Sequence, residues 1–178
     1  PSGDYYKEVV KDMVSNYGVE TYEESDTEKY DRNVTIKEKD AQTVINEDDD
    51  TSPFNASSLI VFFKPSKDIT FLFAGDANCA SITDAIDNYP QIKHVTYFKV
   101  PHHGSKHNLN TRIISDLAPK YSIISAKGTK KHPSSAIVYW LSKEGDVYST
   151  HLRSSLRISS KGLNRAGSFP AEVLKPKQ

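Results

Sequence analysis

The sequence predicts an α/β fold, a mixed sheet with flanking helices. Three observations carry this. Apolar runs of strand length alternate with segments of helical periodicity from residue 55 onward. Turn formers separate most of them. The chain has 178 residues, 37% hydrophobic and 26% charged, which is enough to bury a core and too apolar for a disordered chain. No apolar run reaches the roughly eighteen residues that a membrane span needs. The start, Pro1-Ser2-Gly3-Asp4, has neither a basic nor an apolar leader, so a soluble chain without a signal peptide is expected. The lone Cys79 leaves no internal disulfide and no cysteine-based zinc cluster.

The elements follow in order. Tyr5, Tyr6, Val9, Val10, Met13, Val14 and Tyr17 recur at helical spacing, with Gly18 placed to end the helix. Asn33–Ile36 and Thr43–Ile45 read as short strands, and Glu47–Asp50 as a solvated acidic loop. Leu59–Phe63 and Ile69–Ala74 read as buried strands joined by a turn at Pro65–Asp68. Residues 80–89 read as a helix with Ile82, Ala85 and Ile86 inward. Val95–Val100 is a strand stopped by Pro101. Asn110 or Thr111 caps a helix carrying Ile113, Ile114 and Leu117. Tyr121–Ser125 is a strand, and Pro133 suits the first turn of the helix that Gly145 closes. Val147–Thr150 and Ser155–Ile158 complete the strands.

Charge divides the chain. Residues 1–54 hold 15 Asp+Glu and 6 Lys+Arg, a net of −9, and residues 55–178 hold 8 and 17, a net of +9. Residues 1–54 therefore read as an acidic leading segment, 55–160 as the main body and 161–178 as a tail. A basic body can draw an anionic partner, or can simply attract the acidic segment.

Polar residues able to do chemistry follow the strands. Asp76 follows the second apolar strand, His102 and His103 follow Val95–Val100, and His132 lies in the loop beyond Tyr121–Ser125. Strand ends in α/β folds gather such residues at one sheet edge. Carboxylate and imidazole are the donors that suit zinc, iron or manganese. Adjacent side chains diverge, so one of His102 and His103 is expected to bind a metal and the other to support it or face substrate.

The ordered motifs Asn55-x-x-Ser58-Leu59-Ile60-Val61, Leu72-x-x-Gly75-Asp76, Lys99-Val100-Pro101-His102-His103-Gly104-Ser105, Leu117-Ala118-Pro119, Ile124-Ser125 and His132-Pro133 resemble the metallo-β-lactamase-fold hydrolases. Within them they are most similar to the soluble hydrolase domain of ComEC-type DNA-uptake competence proteins. The match spans about residues 55–158. The resemblance implies the C-terminal half of an αβ/βα sandwich, with a usually dinuclear zinc or manganese site. It implies Asp76 as the metal-bridging carboxylate, and His102 or His103 as the last histidine ligand. Asn55 falls near a position where many members carry a metal-binding histidine.

The family's first metal motif, His-x-His-x-Asp-His, is absent from the chain. Two explanations stand: a fragment of a longer hydrolase, for which the abrupt start at Pro1 speaks, or a natural protein whose site is lost or completed by another chain. The expected function is metal-dependent hydrolysis of a phosphodiester, with the missing N-terminal half of the fold as partner. Lys99, Ser105, Lys106, Lys130, Lys131 and His132 are the candidates for holding a nucleic acid or other phosphate ester. The alternative is a non-catalytic module of the same fold that binds nucleic acid or another acidic partner.

Overall fold

Strand order follows chain order. The structure is a computed structural model and describes residues 2–16, 45, 50, 52–126 and 132–150. Helix α1 (Gly3–Asn16) and the single turn α2 (Pro53–Ala56) precede strands β1 (Val61–Ser66) and β2 (Ile69–Phe73). Then come α3 (Cys79–Asn88), β3 (Tyr97–Lys99), α4 (Thr111–Leu117), β4 (Tyr121–Ile124), α5 (Ser135–Glu144) and β5 (Asp146–Ser149). The five strands form one sheet in the order β1-β2-β3-β4-β5. β1 is antiparallel to β2, and β2 to β5 run parallel. The expected mixed sheet with flanking helices is thus present.

Parallel neighbours need crossovers, and each is a helix. Crossovers of one hand that advance in one direction put their helices on one face. The core agrees. Leu72, Phe98, Ile124 and Val147 from the strands cluster with Ile82 and Ile86 of α3, Ile113 and Leu117 of α4, and Ile137 and Leu141 of α5. Caps fix where two of these helices begin. The Asn78 side chain accepts the Ser81 N–H, and the Asn110 side chain accepts the Ile113 N–H, both at 2.9 Å.

Among the described residues the other sheet face is only partly covered. Val61, Phe63, Phe71, Phe73, Tyr97 and Tyr121 share it by register. Val61 is 42% exposed, Phe63 53% and Phe73 43%. Phe71 stacks on Tyr97 at 4.7 Å between ring centroids, and Tyr97 on Tyr121 at 5.1 Å. The aromatic row packs against itself and is only partly shielded from solvent. This corrects the expectation of two fully buried strands. A continuous apolar run requires cover on both faces, and α3, α4 and α5 supply it on one.

Smaller expectations shift too. β1 runs through Pro65, and Lys67-Asp68 makes the turn. On the described sheet β1 is an edge strand, where a missing N–H costs little. Helix α5 begins at Ser135 rather than Pro133, with Ser134 as its cap residue. The Ser134 N–H is held outside the helix by the Gly104 carbonyl at 2.9 Å. Ile45 is helical and buried where a strand was expected, because a three-residue run cannot distinguish the two. Of the stripe expected on α1, Tyr5 is half-buried against Ser81, Val9 is half-buried and Tyr6 is exposed. The expected strands at 33–36 and 155–158, the rest of 43–45, Gly18 and the tail 161–178 lie outside the described residues. No helix among the described residues is long and apolar enough to cross a membrane.

The two faces should respond differently to truncation. Phe98 is fully buried, so Phe98→Ala should cost about 3–5 kcal/mol in urea denaturation. Phe63→Ala should cost at most about 1 kcal/mol, the worth of a cross-strand pair. Equal losses would show that the chain itself covers the open face.

Candidate functional site

The site is built where β2 and β3 end. Their parallel register pairs Phe73 with Lys99, so the segments after both strands leave the same sheet edge together. After β2 the chain turns at Gly75, whose φ is +53°, a left-handed value that favours glycine. A Cβ there would lie 3.2 Å from the Ser58 Cβ. The Ser58 hydroxyl accepts the Asp76 N–H at 3.2 Å. After β3, the His102 N–H donates to the Gly75 carbonyl at 3.2 Å. Asn55, on α2, places its amide 3.4 Å from His102 Nδ1. The motif residues Asn55, Ser58, Gly75, Asp76 and His102 therefore meet although the sequence spreads them widely.

The turn that carries the histidines is strained. His102, His103 and Gly104 have φ of +42°, +56° and +81° in succession. For histidine this conformation costs about 1–3 kcal/mol and persists only where the surroundings impose it. Here the Gly104 N–H bonds to Pro101 O and the Ser105 N–H to His102 O, both at 2.9 Å. The two rings meet edge to face, with centroids 6.1 Å apart. His102 is half-buried on the Asp50 side. His103 is exposed, with Nδ1 2.7 Å from the Ser125 carbonyl. His132 is buried, its ring 5.6 Å from His102 and 6.4 Å from His103. All three histidines therefore form one cluster.

Asp50 anchors the cluster, which corrects its reading as part of a solvated loop. Its side chain is 13% exposed. It accepts from the Ser52 N–H at 2.9 Å, from Asn55 Nδ2 at 2.6 Å and from Asn108 Nδ2 at 3.3 Å. Its Oδ2 lies 3.4 Å from His102 Nδ1. Burial pushes this carboxyl up, but the hydrogen bonds from Asn55, Ser52 and Asn108 and the attraction of His102 outweigh it and hold the group below its ordinary value. Asn108 also donates to the carbonyls of Asp76 and Ala77, at 3.0 and 3.2 Å. Sequence reading missed Asp50 and Asn108. Asp50 closes an acidic run that gives no sign of its inward turn, and an isolated asparagine carries no local signal.

The expected phosphate-holding residues fall in different places. Lys99 is half-buried, and its Nζ donates to the Val100 carbonyl at 2.9 Å. Burial lowers its pKa and nearby Asp76 partly opposes that. Ser105 is buried, its hydroxyl accepting the His107 N–H at 3.2 Å. Lys106 is half-buried in the same turn. Lys130 and Lys131 lie outside the described residues.

Asp76, exposed at the strand end, and His102 offer donors of the type zinc and manganese take. Among the described residues no three His, Cys, Asp or Glu side chains group to hold an ion. A structural zinc site uses four ligands and a catalytic one three, so these two residues form a partial donor set. No protein-family model, curated protein or solved structure matches the chain.

Two outcomes test this construction. Gly104→Ala should lower stability by roughly 1–3 kcal/mol, since its Cβ would come 2.9 Å from the Pro133 Cβ. His103→Gly should not, which thermal unfolding of both variants would check. Asp50 has a depressed folded pKa, so its stabilisation is complete above the ordinary carboxylate value and is lost as pH falls through the folded one. Asp50→Asn should therefore cost about 1–3 kcal/mol at neutral pH, and the deficit should shrink in acid. A deficit independent of pH would contradict the assignment.

Proposed function

We propose that this chain supplies one half of a metal-dependent phosphodiester hydrolase site within a metallo-β-lactamase-type αβ/βα sandwich, of the kind found in ComEC-type competence proteins. The meeting of Asn55, Ser58, Gly75, Asp76 and His102 at one sheet edge carries the reading. The sheet brings the backbone of these residues to one edge, and polar side chains are what they carry there. The aromatic face, which no element among the described residues covers fully, gives second support. An exposed apolar patch of this kind marks a lost or awaited interface, and the other half of the sandwich fits it.

Within this reading Asp76 and His102 would hold the metal, zinc or manganese, and the remaining ligands come from the other half. When bound, a divalent ion supplies a nucleophilic hydroxide near neutral pH and stabilises developing charge on phosphate oxygen. His103, exposed beside His102, faces the substrate. Lys99 and Lys106 lie close enough in the chain to approach phosphate oxygens, and Lys130 and Lys131 belong to the same basic half. The net +9 of residues 55–178 draws a polyanion towards the edge and holds it by its backbone. One observation favours the competing reading of a non-catalytic nucleic-acid-binding module: the partial donor set among the described residues.

Activity separates the two. Hydrolysis of bis(p-nitrophenyl) phosphate and of single-stranded DNA should be measured with added Mn²⁺ or Zn²⁺, in a protein carrying both halves. The expected result is turnover that Asp76→Ala abolishes while far-UV circular dichroism is unchanged. Full activity in Asp76→Ala would overturn the metal assignment. DNA binding without any turnover in the unaltered protein would favour the module.

A further inference from the structure

We propose that Asn108 is a positioning residue for Asp76, acting with Ser58: the two side chains hold the Asp76 N–H and carbonyl from either side and so keep its backbone fixed at the sheet edge. The consequence for metal binding rests on the proposed function, and the clamp does not.

The turn leaves Asp76 to be held by side chains. Its own bond runs from the Ala77 N–H to the Ala74 carbonyl at 2.9 Å, and the His102 N–H takes the Gly75 carbonyl at 3.2 Å. Backbone polar groups need partners, and both of those on Asp76 find theirs far along the chain. The N–H donates to the Ser58 hydroxyl at 3.2 Å, and the carbonyl accepts from Asn108 Nδ2 at 3.0 Å. The same nitrogen donates to the Ala77 carbonyl at 3.2 Å and to Asp50 Oδ2 at 3.3 Å.

The Asn108 amide has one workable orientation. Two carbonyls and an ionised carboxylate only accept, so the end that faces them is the nitrogen, its two hydrogens shared among the three. The side chain is fully buried, and its oxygen has no hydrogen-bond partner among the described residues. An unpaired buried acceptor is a cost that calls for an explanation. The nitrogen supplies it, because that end holds the turn which carries the exposed Asp76. Asn110 provides a control. It stands two residues further on, and its side chain caps α4 by accepting the Ile113 N–H.

The test is ¹⁵N relaxation on the full chain, followed by addition of trace Mn²⁺. In the unaltered chain the Asp76 and Ala77 amides should have order parameters of about 0.85, the rigid-backbone value. In Asn108→Ala both should fall towards about 0.6. Asn110→Ala, which removes a helix cap instead, should leave them unchanged. Broadening of the Asp76 amide by Mn²⁺ should weaken several-fold in Asn108→Ala and persist in Asn110→Ala. A mobile Asp76 in the unaltered chain would overturn the proposal, as would a rigid one in a folded Asn108→Ala. Equal loosening in Asn110→Ala, or undiminished broadening in Asn108→Ala, would do the same. Should Asn108→Ala not fold, Ser58→Ala decides: a lowered Asp76 order parameter supports the clamp and an unaltered one overturns it. If Mn²⁺ leaves the Asp76 amide of the unaltered chain untouched, the proposed function fails, and the order parameters still decide the clamp.

Discussion

The parallel, in-register pairing of β2 with β3 is the constraint on which the site depends. It forces Gly75-Asp76 and Pro101-His102 to leave the sheet at one edge. The bond from the His102 N–H to the Gly75 carbonyl then locks the two exits together. Every other contact of the site builds on that lock. Ser58 can reach Asp76 only because the Gly75 turn brings its amide close, and Asn55 reaches His102 only because α2 lies over the same edge. The strained φ values of the histidine turn are tolerated for the same reason. Four backbone bonds hold the turn against its own preference.

Among the described residues the sheet is fully covered on one face alone. Three crossover helices bury one face, and the aromatic row on the other stacks along its own length. Stacking recovers part of the cross-strand energy but leaves substantial area in water. The acidic and basic halves of the sequence add a second directional feature. The basic half contains the edge where Asp76 and His102 meet. A polyanion drawn there would encounter the histidine cluster, with Asp76 beside it.

Local signals were legible where local physics decides the outcome. The periodicity of α3 and α4 announced their inward residues, and the cap of α4 was narrowed to Asn110 or Thr111, of which Asn110 is the cap. The Gly-Asp and His-His-Gly-Ser motifs marked the strand ends. Three features were not legible, each because it depends on distant residues. Leu59–Phe63 reads as buried on both sides, since apolar content records that a strand is covered and not by which element. Asp50 sits in an acidic run with no sign that its carboxylate turns inward. Its placement is set by Asn55, Asn78, His102 and Asn108 together. The delayed start of α5 follows from a bond between Ser134 and Gly104, thirty residues apart.

The central claim is that Asp76 and His102 share one divalent-metal locus at the β2–β3 edge. Paramagnetic broadening by trace Mn²⁺ tests it directly, because even a weak partial site relaxes the amides around it. Amide resonances of Gly75, Asp76 and His102 should disappear first, ahead of exposed carboxylates such as Asp4 and Asp87. Broadening that spares these three residues while affecting those surface acids would contradict the account.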